Sequence, residues 1–370
     1  MKINIFKPYL QGKAGYKGGK TLAEIQTAAN KIYKLSSNEN PIGCSPLVIQ
    51  AIQDSLQNLH HYPDRTAIHL QKALANFYKQ ELTENQFIAT NSGSEALEHI
   101  IRAFLTENTS CIISNPCFFP YTMFSTWQGA KVIDVPLNEV DYSVNIQGIL
   151  AAINDTTRLI FLTSPNNPTG SYIPQEKLDY LIDHLPEHVV LVLDEVYFHF
   201  ADAPDYTSAM KYVKTNKKVI ALNSFSKAFG MASLRCGYLY STPQLASYIR
   251  SLSKPFLINK LSLNAAIAAL KDTDFLNEIQ ELIIGERKRV QTELTKMGVK
   301  FWPSQGNFIL IDPQTDSQTF TNQMLSEGIM VRPVDGFGAP GKIRVTLGTT
   351  EANDAYLGAL KNVLSLMTKV

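Results

Sequence analysis

Short runs of apolar and β-branched residues alternate along most of the chain with longer stretches whose apolar positions recur at helical spacing. The runs predict strands over 87–90, 111–114, 131–135, 158–163, 189–193, 218–223 and 237–240. The longer stretches predict helices over 94–105, after Pro120, near 146–153 and over 175–184. This order is that of βαβ units around one mainly parallel sheet, and residues 36–262 are assigned to it. From 263 a long helical stretch runs to near Lys296. Short strands (308–311, 329–331, 342–347) then alternate with helices near 316–326 and 351–367. The expected fold class is therefore α/β, a large domain with a seven-stranded mainly parallel sheet flanked by helices, plus a smaller α+β domain over 263–370. Residues 1–35 carry Gly12, Gly15, Gly18 and Gly19 and too few apolar positions for a core, so they are expected to lie as an arm on the small domain or on a partner subunit.

Composition sharpens this picture. Of 370 residues, 45% are hydrophobic and only 18% charged, below the ~25% usual in soluble proteins, which points to extensive burial. The formal net charge is +1, so no overall field draws the chain to nucleic acid or acidic membranes. No apolar run approaches the length of a membrane span, and no secretory or transit pattern opens the chain, so a cytoplasmic location is expected. Cys44, Cys111, Cys117 and Cys236 are irregularly spaced, with no C-x-x-C pair; free thiols are expected and no metal site.

Gly336-Phe337-Gly338-Ala339-Pro340-Gly341 matches the dinucleotide fingerprint in form, but a strand follows it where that site needs a helix start. The informative stretch is Asn223-Ser224-Phe225-Ser226-Lys227-Ala228-Phe229-Gly230, with Arg235 eight positions after the lysine. An amine in a strand-end loop among apolar residues can be desolvated enough to attack a carbonyl. Ser224, Ser226 and Arg235 can supply donors to a phosphate. A lysine imine beside a phosphate cradle suggests pyridoxal phosphate, which demands a carboxylate for its ring nitrogen. Asp194, at the carboxyl end of an apolar strand, can meet that demand or cap a helix after the strand, and Tyr197 three residues on can reach the phenolic oxygen. The turn Ser164-Pro165-Asn166-Asn167-Pro168-Thr169-Gly170 is by itself an ordinary Pro/Gly turn, and beside Lys227 and Asp194 it offers Asn167 as a second donor to that oxygen. Ser92-Gly93-Ser94, opening a helix, offers backbone amides to an anion, or Ser94 caps the helix. The loop from Asn115 to Tyr121 offers an aromatic ring to stack on a pyridine.

In their order along the chain, these blocks resemble the fold-type I pyridoxal-phosphate aminotransferases over essentially the whole length. Within that group the sequence is most similar to the histidinol-phosphate aminotransferases. The resemblance rests on Lys7-Pro8-Tyr9, Ser37-Asn38-Glu39-Asn40-Pro41-Ile42-Gly43, His61-Tyr62-Pro63-Asp64, Lys254-Pro255-Phe256, Asn307-Phe308, Val331-Arg332-Pro333 and Ile343-Arg344-Val345-Thr346-Leu347-Gly348. It implies that Lys227 carries the cofactor in imine linkage and Asp194 pairs with the ring nitrogen. It further implies that Asn167 and Tyr197 bond the phenolic oxygen, Phe118 stacks on the ring, and Ser92, Gly93, Ser94, Ser224, Ser226 and Arg235 surround the phosphate. Tyr62 would reach the cofactor phosphate of a partner subunit, which implies a homodimer. Arg332 and Arg344, with Tyr9, Asn38, Tyr62 and Asn167, would bind the substrates.

The implied reaction is a ping-pong transfer between L-glutamate and imidazole-acetol phosphate, giving 2-oxoglutarate and L-histidinol phosphate. Its substrates present carboxylates in one half and a phosphate in the other, and arginine's planar fork pairs with either. An aromatic amino acid aminotransferase on the same scaffold is the alternative, and a lyase resembling threonine-phosphate decarboxylase a more distant one. The chain departs from the usual pattern at Phe118, where a tyrosine is common, at Cys44, where a proline often stands, and at His199, where an acid is frequent.

Overall fold

The structure is a computed structural model that describes residues 7–10, 22–25, 29 and 31–367; the arm glycines Gly12, Gly15, Gly18 and Gly19 fall outside them. The strands are β1 (Tyr33–Lys34), β2 (Phe87–Thr90), β3 (Ser110–Ile113), β4 (Lys131–Asp134), β5 (Thr157–Thr163), β6 (Val190–Asp194), β7 (Val219–Ser224), β8 (Gly237–Ser241), β9 (Lys300–Trp302), β10 (Phe308–Asp312), β11 (Ile329–Met330), β12 (Arg332–Pro333) and β13 (Ile343–Thr346). The helices are α1 (Pro46–Ser55), α2 (Ile68–Phe77), α3 (Gly93–Phe104), α4 (Pro120–Trp127), α5 (Ile146–Ala152), α6 (Gln175–Asp183), α7 (Met210–Lys214), α8 (Pro243–Arg250), α9 (Lys260–Ala269), α10 (Thr273–Lys296), α11 (Ser317–Ser326) and α12 (Thr350–Met367).

Seven strands form one sheet in the order β2-β8-β7-β6-β5-β3-β4. Neighbours from β7 to β4 run parallel, and β8 is antiparallel to both β2 and β7. Apart from the partly exposed edge strand β4, both faces are covered, which is why the other strands read as near-continuous apolar runs. Along β6, Leu191 and Leu193 enter one core while Val190 and Val192 enter the other, and along β5 Ile160 and Leu162 part from Leu159 and Phe161 in the same way.

A second sheet has the order β12-β13-β10-β9, all antiparallel. Beside it β1 pairs in parallel with β11, Tyr33 opposite Ile329. The strand expected over 329–331 is shortened to Ile329–Met330, and after Val331 the chain enters the second sheet at Arg332. The helical stretch from 263 is divided too. It breaks after α9, where the Asp272 side chain caps α10 by accepting from Phe275 N at 3.1 Å. The glycine-rich segment at 336–341 is a short 3-10 turn running into β13, with no helix after it.

Candidate active site

The carboxyl ends of β5, β6 and β7 lie side by side, with Thr163 in register with Asp194, and ligands of open α/β sheets bind beyond such ends. Here a cavity of about 330 Å³ opens between them, the N-terminus of α3 and the second sheet. Its lining brings together Gly93, Ser94, Phe118, Asn167, Asp194, Tyr197, Ser224, Ser226, Lys227, Arg235, Arg332, Arg344 and Asn38.

At its floor Asp194 is buried, and burial pushes its carboxyl up to about 6 against the pull of two donors, the Tyr121 hydroxyl and the Val196 amide. Tyr121 donates to Oδ2 at 2.6 Å and lies 2.7 Å from the Thr163 hydroxyl, while Val196 N donates to Oδ1 at 3.1 Å. The Tyr121 ring is fixed by stacking on Phe161 at 5.2 Å and by an edge contact with Phe118 at 5.7 Å. No basic side chain pairs with Asp194 among the described residues. Its neighbour Glu195 points into the core instead, accepting from the Tyr240 hydroxyl and Ala209 N, each at 2.7 Å.

Lys227 stands across the cavity, its Nζ donating to Ser37 O at 3.0 Å. Burial lowers its amine to about 7, helped by the charges of Arg344, Arg235 and Lys34 and opposed by Glu39. Asn38 Nδ2 donates to the Tyr197 hydroxyl at 3.0 Å, and the Tyr197 ring packs edge-on against Phe308. Arg344, buried on β13, donates through Nη1 to Asn167 Oδ1 at 2.6 Å and through Nη2 to Ser36 O at 2.8 Å. It forms part of the cavity wall. Arg332 lies opposite it across the β12–β13 register.

At the third side, Ser224 Oγ donates to Ser226 Oγ at 2.9 Å and accepts from Ser226 N. Arg235, in the left-handed region at φ 51°, is anchored by Ala232 O. The α3 N-terminus reaches this spot because residue 237 is glycine: a Cβ there would lie 2.5 Å from both Gly93 N and Ser92 C. Ser92, not Ser94, is the cap, accepting from Glu95 N at 3.1 Å. Ser92 is therefore spent on the helix and stands off the cavity, while the first-turn amides and Ser94 remain for an anion.

Two other expected residues lie elsewhere in this chain. Tyr9 packs its ring over Gly129, close enough that a Cβ there would sit 2.9 Å from it, and away from the cavity. The Tyr62 side chain is 81% exposed, beside Phe256 and outside the cavity lining. Of the departures, Phe118 does line the cavity, Cys44 is half-buried, and His199 is buried among Phe77, Phe198 and Phe229, with its imidazole pushed down to about 3 by burial alone. All four cysteines are free.

Sequence reasoning missed Tyr121, Thr163 and Glu39. Nothing local marks the partner of Tyr121, because Asp194 lies 73 positions away. The capping role of Ser92 was legible, since Ser92-Gly93-Ser94-Glu95 has the S-x-x-E spacing.

The arrangement suits a planar, phosphorylated pyridine. A buried carboxylate without a cation awaits a protonated ring nitrogen. Amides, hydroxyls and Arg235 await a phosphate, a desolvated amine lies between, and Phe118 supplies an aromatic face. The volume is within the range of small-ligand sites.

Comparison with known proteins agrees. The family profile of aminotransferase class I and II matches residues 30–360. A histidinol-phosphate aminotransferase 2 of Pseudomonas fluorescens is 35% identical over 367 residues, 98% of each chain. A histidinol-phosphate aminotransferase of Halalkalibacterium halodurans is 34% identical over 367 residues, 99% of this chain and 98% of the other. The crystal structure of histidinol-phosphate aminotransferase from Sinorhizobium meliloti in complex with pyridoxal-5'-phosphate superimposes with a TM-score of 0.87 at 26% identity, covering 98% of both chains. The Thermus thermophilus aspartate aminotransferase with maleate shares the fold, with a TM-score of 0.80 and 24% identity over 90% of this chain and 92% of the other. From the cavity's donor set and this full-length similarity together, the chain belongs to the class I and II aminotransferases and takes pyridoxal phosphate as its cofactor.

Proposed function

We propose that the chain catalyses reversible amino transfer from L-glutamate to imidazole-acetol phosphate, giving L-histidinol phosphate and 2-oxoglutarate. The observation that carries the reading is one cavity that brings Asp194, at the end of a large-sheet strand, and Lys227, in the loop beyond another, together with Arg332 and Arg344 on the small sheet. The full-length relatives named histidinol-phosphate aminotransferase support the choice of substrate.

When bound, pyridoxal phosphate supplies the electron sink that makes the substrate's Cα proton labile. Lys227, whose amine burial lowers to about 7, would hold the cofactor in imine linkage and, when free, would take up and return the substrate's Cα proton. Asp194 keeps the ring nitrogen protonated, and Tyr121 and Val196 hold its carboxylate in place. With Asn167 Oδ1 taken by Arg344, its Nδ2 is left to donate to the phenolic oxygen beside the Tyr197 hydroxyl. Phe118 covers one ring face. Gly93, Ser94, Ser224, Ser226 and Arg235 hold the phosphate. Arg332 and Arg344 take the substrate's carboxylate in one half-reaction and its phosphate in the other, and Asn38 fixes Tyr197.

The working unit in this reading is a cytoplasmic homodimer in which Tyr62 reaches the neighbouring site. The exposure of Leu56, Leu59, Tyr62 and Phe256 supports it. The chain divides into an arm over 1–35, a large domain over 36–262 and a small one over 263–370. Among the described residues no helix is long and apolar enough to cross a membrane. The deciding measurement compares kcat/KM for histidinol phosphate, phenylalanine and tyrosine as amino donors to 2-oxoglutarate. A preference for either aromatic amino acid over histidinol phosphate would overturn the substrate assignment.

A further inference from the structure

Amid its cations the cavity carries a second acid. Glu39 lines it together with Lys227, Arg235, Arg332 and Arg344, and apart from Asp194 it is the one carboxylate in the lining. Its backbone is held from both sides. Asn38 before it accepts from Asn307 Nδ2 at 3.2 Å through its carbonyl and donates through its amide to Thr346 Oγ1 at 2.9 Å. Asn40 after it donates to Ala228 O at 2.9 Å, next to Lys227. The side chain is oriented as well: Oε1 accepts from Lys34 Nζ at 2.7 Å, while Oε2 has no partner among the described residues. The charge lies close enough to Lys227 to offset part of the field of the surrounding cations.

Such a carboxylate hinders one of the two substrates. Glutamate brings only carboxylates besides its amine, and an acid at the cavity repels them. Histidinol phosphate brings, from a Cα that must sit at Lys227, a phosphate for the arginines and an imidazole ring with an N–H to donate. A held carboxylate with a free oxygen is a matched acceptor for that N–H. A phenyl ring has nothing to offer Oε2 and would cover that oxygen without giving it a donor.

We propose that Glu39 is the specificity-determining residue for the imidazole end of the substrate, its Oε2 accepting the ring N–H. This rests on the reading under Proposed function. The test uses the holoenzyme and its Glu39→Gln, Glu39→Ala and Glu39→Asp variants, each checked for full cofactor occupancy. Each half-reaction is followed in single turnover, with histidinol phosphate and with L-glutamate. Binding of imidazolyl-ethyl phosphate, which lacks the reacting amine, is measured by calorimetry beside phenyl-ethyl phosphate.

A hydrogen bond to a charged group predicts that the ratio of kcat/KM for histidinol phosphate to that for glutamate falls about ten-fold in Glu39→Gln and up to about a hundred-fold in Glu39→Ala. Glu39→Asp should recover part of it. The same variants should weaken imidazolyl-ethyl phosphate while leaving phenyl-ethyl phosphate unweakened. An equal loss for both amino donors, or an unchanged ratio, overturns the assignment of Glu39 alone. A wild-type enzyme that transaminates glutamate but not histidinol phosphate overturns the substrate reading itself, and this proposal with it.

Discussion

Replacing Tyr121 by phenylalanine removes a buried hydroxyl that donates to Asp194 and should change how Asp194 titrates. The hydroxyl donates to Asp194 Oδ2 at 2.6 Å, in a place where burial already raises the carboxyl to about 6. A hydrogen bond to a charged group contributes about 1.5–3 kcal/mol, and each pKa unit corresponds to about 1.4 kcal/mol, so the variant should titrate one to two units higher, between about 7 and 8. The phenylalanine keeps the stack on Phe161, so the geometry has little reason to move.

The sign follows from proton uptake. The folded carboxyl lies above its unfolded value near 3.8, so folding binds a proton in that window and stability falls as pH rises through it to about 6. In Tyr121→Phe the window extends to about 8, so the stability gap between the two cofactor-free proteins should be small at pH 5 and reach about 1.5–3 kcal/mol at pH 8. Denaturant unfolding at several pH values measures the gap, and the infrared carboxyl band missing in Asp194→Asn reports the titration directly. Cofactor affinity at pH 7 should fall, because the ring nitrogen then meets a carboxyl that is mostly protonated. Coincident Asp194 titrations in wild type and variant would refute the reasoning.

The depressed Lys227 amine predicts that capture of an aldehyde probe by the cofactor-free protein is half-maximal near pH 7; the folded state holds fewer protons than the unfolded between about 7 and 10.5, so this group favours folding as pH rises through that range. A midpoint near that of a free lysine would contradict the burial argument. Arg344→Ala should slow both half-reactions and leave Asn167 Oδ1 and Ser36 O short of donors, at about 1–3 kcal/mol for each buried acceptor; an effect on one half-reaction alone would mean the two anions bind apart. Gly237→Ala should push the start of α3 off β8 and weaken cofactor binding, with about 1–3 kcal/mol of overpacking visible in thermal unfolding; unchanged affinity would show that the helix start is dispensable to the phosphate.

Much of the large sheet could be read from the chain because burial on both faces leaves no polar interruptions, as in Val190–Asp194. The helix α1 was not legible: Leu47 and Ile49 are exposed while Ser55 is buried, so its apolar residues do not mark a single inward face. The pairs β1 and β11, two residues each, are shorter than any periodicity can register, and the break before α10 turns on one side chain, Asp272. In the site, Lys227, Asp194 and Asn167 were legible because each ends an apolar strand or sits in the loop just beyond one. Tyr121 and Glu39 were not, since what defines them is a partner or a cavity assembled from distant segments. Tyr9 and Tyr62 show the converse: their blocks were recognisable, yet within one chain neither side chain arrives at the cavity.

The stretch from Leu35 to Asn40 joins the floor of the site to its roof. Leu35 O and Ser36 O accept from Thr346 N and Arg344, Ser37 O accepts from Lys227, and Asn38 bonds both Tyr197 and Thr346. The contacts to β13 close a loop of 308 residues. During synthesis this early segment must therefore wait, its polar groups still in water, until nearly the whole chain has emerged. Closing so long a loop is slow and comes late in folding. Intermediates that already hold the seven-stranded sheet would have Lys227 and Asp194 in place but Arg344 and Asn38 absent. Such species could collect cofactor before they could select a substrate, which makes pyridoxal phosphate a ligand able to draw folding forward by mass action.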